Sequence, residues 1–144
     1  MMRRLFNTNF NQGSLHFAVL ILRVSFAVFM MVHGYQKLQT LIAGGEIQFG
    51  DPIGVGPYAS LVLAVFAEFV CSILLLIGLG TRLAVIPLII TMVVAVFIVH
   101  GADGFDKKEM ALHYLVAYVF LLISGSGKYS VDHLISKSSN RRRR

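Results

Sequence analysis

Four stretches of this chain run for most of a bilayer's thickness with almost no charge in them. A membrane-spanning helix needs about 20 mainly apolar residues. The stretches near 15–38, 57–79, 83–101 and 107–124 meet or approach that length. Residues 83–99 carry no charge at all, so they must face lipid or other apolar helices. The runs are continuous and do not alternate, which excludes a transmembrane β-barrel. The expected fold is all-α: an integral membrane four-helix bundle.

Composition agrees. Of 144 residues, 56% are hydrophobic and 14% charged, with a mean hydropathy of +0.74. A soluble domain carries about 25% charged residues to keep its surface wet, and this chain has too few. Disorder is excluded by the same richness in apolar residues. One cysteine, Cys71, allows no internal disulfide, no cysteine-based zinc site and no CxxC pair, and is expected to pack as a small apolar residue. Residues 1–138 read as one four-helix transmembrane domain and 139–144 as a basic tail.

Punctuation marks the helix ends. Ser14 is placed to cap the first span, and Gly44-Gly45 lies beyond it. Gly50-Asp51-Pro52 and Gly54-Val55-Gly56-Pro57 lead into the second, and Gly80-Thr81-Arg82 turns into the third. Pro87 then falls in about the first turn, where proline does least harm. Asp106, with Glu109 three residues on, resembles a capping box for the fourth span, which ends at Gly125-Ser126-Gly127. The first span is too long for a signal peptide, holds Arg23 and lacks an A-x-A site, so it reads as a retained helix.

Orientation follows from Lys and Arg alone. One side holds Arg3, Arg4, Arg82, Lys128, Lys137 and Arg141 to Arg144, nine in all, against Lys37, Lys107 and Lys108 opposite. That excess places both termini in the cytoplasm and the 39–56 and 101–109 loops outside, as expected of a multi-pass protein of the bacterial inner membrane. The partner implied by the terminal clusters is the lipid bilayer. No nucleic acid is expected, because no basic stripe with interleaved aromatics lies on a folded surface.

An ionisable group at bilayer depth normally faces other helices and has a partner. Arg23 and Glu68, about fifteen and eleven residues from the outer ends of their spans, differ in depth by roughly 6 Å. They are expected to form an intramembrane ion pair, either purely structural, or with a proton-linked carboxylate or a charge that orients a bound anion. Arg23, His33 and Lys37 share one stripe of the first helix, and Gly34 permits close approach of a neighbour. Glu109 and His113 are four apart on the fourth, beside Tyr114. With His100 at the same side, these groups are candidates for an outward-facing pocket.

A quinone site needs donors for its carbonyl oxygens in an apolar slot, which His33, His113 and Tyr114 provide. Bis-histidine haem, a metal held with Glu109, or interfacial side chains bound only to water and headgroups stay open beside it. No H-E-x-x-H signature occurs and no metal is assigned.

Taken together these motifs resemble the DoxX family of small four-helix membrane proteins. Leu22-Arg23 followed by Val32-His33-Gly34-Tyr35-Gln36-Lys37-Leu38 is similar to its LLR…hGxxKL signature. Ala67-Glu68 and Leu76-Ile77-Gly78-Leu79-Gly80-Thr81-Arg82-Leu83 resemble its second-helix glutamate and GLxTR turn. Gly125-Ser126-Gly127-Lys128-Tyr129-Ser130-Val131-Asp132 resembles its G-x-G-[RK]-x-S-x-D ending. The resemblance implies a membrane subunit of a quinone-linked oxidoreductase, in redox or sulfur metabolism, since the family's name derives from a thiosulfate:quinone oxidoreductase.

Under that reading the ligand-binding candidates are His33, Lys37, His113, Tyr114 and Glu109, in the outward half of the bundle. No haem, flavin or iron–sulfur motif occurs, so quinone is the cofactor considered and electrons must come through other membrane or redox subunits. The alternative is a non-catalytic accessory or scaffold subunit, or a homo-oligomer, and a small-solute transporter is more distant. On the cytoplasmic side Arg82 and Asp132 are placed to pair. Alternatively, and preferably, Ser130 caps a short amphipathic helix from Val131 to Lys137.

Overall fold

The computed structural model describes residues 11–142, with side chains to 139. Arg3, Arg4, Arg143, Arg144 and the side chains of Arg141 and Arg142, part of the orientation count, lie outside what is described. Among the described residues all regular structure is helical. The helices are α1 (Gln12–Ala43), α2 (Pro57–Ile77), α3 (Thr81–Val99), α4 (Phe105–Ser124) and α5 (Val131–Arg142).

Helices α1, α2 and α3 are long and apolar enough to cross a membrane. Helix α4 places Asp106, Lys107, Lys108 and Glu109 at its start, then runs free of Asp, Glu, Lys and Arg from Met110 to Ser124. It completes the bundle as a 20-residue helix with a charged mouth.

Several ends differ from expectation. Asn11, in extended backbone, caps α1 by accepting from Gly13 N at 2.9 Å, which leaves Ser14 inside the first turn. Glycine with positive φ at 44 and 45 stops the helix, five residues beyond the expected end at 38. Gly104 caps α4 with no side-chain bond, so Asp106 falls within the first turn and the Asp106–Glu109 capping box does not form. There Asp106 complements the helix dipole instead. Helix α3 starts at Thr81, which puts Pro87 in its interior rather than its first turn.

Ahead of α2, the Asp51 carboxylate accepts from Val55 N (3.0 Å), Gly56 N (2.8 Å) and Ser60 Oγ (2.8 Å). The Ser60 and Gly56 bonds hold its carboxyl below the ordinary carboxylate value. These bonds deliver the chain to Pro57, at the first helical position.

The interior mixes small residues, such as Ala27, Ala67, Ala84 and Ala111, with fully buried Leu61, Leu75, Leu88, Leu121 and Tyr118. Many other large apolar side chains point outward, Leu83 and Ile123 both at 74% exposure. An apolar outer face suits lipid, where helices associate through close packing and not through expulsion of water. Helices α3 and α4 pack over a long face, and α1 packs along α2. Helices α1 and α4 touch over a shorter length, leaving a groove between them.

Candidate functional site

The register between α1 and α2 positions the buried charges. A Cβ at Gly34 would stand 2.5 Å from Glu68 C and 2.6 Å from Phe69 N, so the two backbones meet there. Only glycine allows that approach. Lys37, three residues further out, donates to the Glu68 carboxylate, which is 4% exposed against 30% for the lysine. Glu68 sits in a π-helical turn, Phe66–Val70, a local distortion frequent at functional sites.

The expected Arg23–Glu68 ion pair therefore does not form. Because α1 continues to Ala43, Arg23 lies twenty residues from its outer end while Glu68 lies eleven from Pro57. The depth difference is roughly 14 Å, beyond an arginine's reach. With residue 34 level with 68, residue 23 falls near 79, next to Gly78. The Arg23 guanidinium rests over Gly78 and donates from Nη2 to Tyr129 O at 2.7 Å. Its side chain is 1% exposed, and the charge that faces it is Asp132.

The five ligand candidates divide into two groups. His33 sets its ring edge-on to Tyr114 at 6.2 Å, and Tyr114 contacts Phe26 (5.4 Å) and Tyr118 (5.9 Å) in turn. This aromatic column, buried at its two tyrosines, lies beside the Lys37–Glu68 pair, since the Glu68 charge acts on both tyrosines. Glu109 and His113 instead face the groove between α1 and α4, about 570 Å³ in volume and otherwise walled by apolar residues such as Leu22, Phe26, Val116 and Phe120. A smaller cleft of about 350 Å³, lined by Phe29, Met110 and Tyr114, shares Phe26, Glu109 and His113 with it.

His33 does not line the groove, because its place on α1 turns it toward Tyr114. His100 also stands apart: its Nδ1 bonds Asp103 Oδ2 at 2.8 Å in the α3–α4 connection. That bond, aided by Lys107, holds the Asp103 carboxyl below its ordinary value. Among the described residues no three His, Cys, Asp or Glu side chains group to hold a metal ion.

Two buried residues were missed in the sequence. Tyr118 Oη and Ser72 Oγ are fully buried beside Glu68, and with Glu68 Oε2 they lack a partner among the described protein groups. The signal was available, since each follows a named residue by four: Tyr118 after Tyr114, and Ser72 after Glu68.

At the end that carries the termini, Arg82 and Asp132 do not pair. Asp132 Oδ1 accepts from Gly80 N at 2.7 Å and Oδ2 from Thr81 N at 3.0 Å, capping α3 from a distant part of the chain. Arg82 donates to Ile123 O at 3.2 Å. Burial raises the Asp132 carboxyl, but the Thr81 and Gly80 bonds outweigh it and leave it below the ordinary value. Ser130 caps α5, its Oγ accepting from His133 N at 3.2 Å, and the helix runs on past Lys137 to Arg142.

The DoxX family profile matches residues 18–101. An uncharacterized membrane protein of Mycobacterium tuberculosis is 32% identical over 136 residues, covering 83% of this chain and 82% of its own. An uncharacterized protein of Haemophilus influenzae is 31% identical over 126 residues, covering 81% and 89%. A Bacillus subtilis protein named "Putative oxidoreductase CatD" is 28% identical over 125 residues, covering 86% and 91%. No solved structure gives a significant match.

Proposed function

This chain belongs to the DoxX family, and from that premise we propose that it is the membrane subunit of a quinone-linked oxidoreductase. Its lipophilic ligand binds in the groove between α1 and α4. One observation carries the reading: a long apolar groove with an imidazole and a carboxylate at one end, His113 and Glu109. In this reading the groove lies at bilayer depth, so that a ligand dissolved in lipid enters without crossing water. The Bacillus subtilis relative, named "Putative oxidoreductase CatD", agrees with the same class.

The donor set fits a quinone head. A bound quinone supplies two-electron, two-proton carrier chemistry. His113 and Glu109 would hold the quinone head, the imidazole as a hydrogen-bond donor and the carboxylate as an acceptor. Leu22, Phe26, Val116 and Phe120 hold the tail and exclude water, which strengthens both polar contacts. Tyr114, in the adjoining cleft, fixes the shape of the inner wall.

In this reading the termini face the cytoplasm of a bacterial inner membrane, where the basic residues gather. A second redox subunit delivers the electrons.

The test is native mass spectrometry after extraction in mild detergent, with solvent extraction of the bound lipid fraction. A stoichiometric quinone, lost in His113→Ala, is expected. Unchanged retention in that variant overturns the assignment. A protein complex that carries no quinone would make the chain an accessory subunit.

A further inference from the structure

The recess where the ends of three helices meet is unlike the groove, being lined mainly by polar residues and glycines. The start of α3, the end of α4 and the first turns of α5 enclose about 390 Å³, with Arg82, His133, Ser126 and Ser136 in the wall. We propose that this recess binds the headgroup of an anionic phospholipid, its phosphate held by Arg82 and His133 with hydroxyl support from the serines.

Charge distribution is the first argument. Of the seven acidic residues in the chain, Asp132 is the one at this end. Both of its oxygens are engaged by Gly80 N and Thr81 N, and its charge faces the buried Arg23. The carboxylate in the wall is thus compensated by groups behind it. Among the described residues at this end, Arg82 and the neighbouring exposed Lys128 have no carboxylate partner, and neither has Lys137 further along α5.

Arginine geometry is the second. The single bond from Arg82 Nη2 to Ile123 O, with the guanidinium lying along Gly125, holds the group at the recess wall. Four of its five N–H donors stay available, in the planar arrangement that suits phosphate oxygens.

The third is the rim. Leu83 lines the recess at 74% exposure, and Ile123, whose carbonyl anchors Arg82, is equally exposed. These side chains offer acyl chains an apolar surface directly beside the polar recess. A soluble phosphate ester would have no use for it.

The experiment titrates the full chain, stripped of lipid in mild detergent, with phosphatidylglycerol and reads adducts by native mass spectrometry. One saturable adduct, preferred over phosphatidylcholine, is expected. Arg82→Gln weakens it about tenfold, the scale of a charge-assisted hydrogen bond, and Lys128→Gln does not. Ser136→Phe, which fills the recess and leaves the Arg82–Ile123 bond intact, abolishes it and serves if Arg82→Gln does not fold. Equal weakening by Lys128→Gln shows diffuse attraction and overturns the proposal, as does absence of preference for the anionic lipid. Displacement by millimolar inorganic phosphate reassigns the recess to a soluble phosphate ester and overturns the lipid assignment.

Discussion

Lys37 and Glu68 are partners across the α1–α2 interface, less than one turn outward from the point where Gly34 brings the two backbones together. Close approach and charge pairing thus reinforce each other. A buried carboxylate is tolerable because the lysine reaches it while keeping part of its side chain exposed.

That relationship makes the two single substitutions unequal. Lys37→Met strands a carboxylate that is 4% exposed and is expected to cost about 3 kcal/mol, in the range for a broken buried pair. Glu68→Gln leaves a lysine able to reach polar surroundings and costs about 1 kcal/mol, after discounting for its exposure. The double variant recovers most of the Lys37→Met loss, whereas Arg23→Met rescues neither. Thermal unfolding in detergent measures each variant, and rescue of Glu68→Gln by Arg23→Met would show that Arg23 is the true partner.

Gly34→Ala is expected to destabilise by about 2 kcal/mol or more, an overpacking cost. The atoms met by the new Cβ are backbone and cannot swing away. Gly50→Ala is the control, because a Cβ there meets nothing within 4 Å and its φ is not positive. Similar unfolding temperatures for the two variants would contradict the close approach.

Asp132→Ala removes a cap from α3 and is expected to cost about 1 kcal/mol at neutral pH. The folded protein holds this carboxyl below its ordinary value of 3.8, so the ionised form favours folding. Its contribution is complete above that value and is lost as pH falls below it, toward the lower folded value. Unfolding followed from pH 7 to pH 3 should show a gap between wild type and Asp132→Asn that narrows at the acid end. A gap independent of pH would mean that the carboxylate charge is not what caps the helix.

For the groove, His113→Ala is expected to lower quinone retention at least fivefold, about one hydrogen bond's worth. His33→Ala, which alters a ring packed on Tyr114 outside the groove wall, should change it less than twofold. Quantifying quinone per protein in the two variants checks the assignment, and the reverse order would move the ligand to the aromatic column.

The all-helical character and the family were legible in the chain, because hydropathy runs and turn residues are local properties. Gly34 was recognisable as a point of close approach, and Ser130 as a cap. Pairing was not. Which cation meets Glu68 depends on the relative depth of α1 and α2, and five more residues of α1 moved Arg23 out of reach and Lys37 into place. The pocket candidates separated for a related reason. Spacing shows which residues share a face of one helix, but the rotation of that face toward a neighbour is set by packing. So His33 turned to Tyr114 while His113 faced the groove. Asp132 capping α3 across some fifty residues was beyond sequence for the same cause: contacts between distant segments exist only once the bundle fixes where its ends meet.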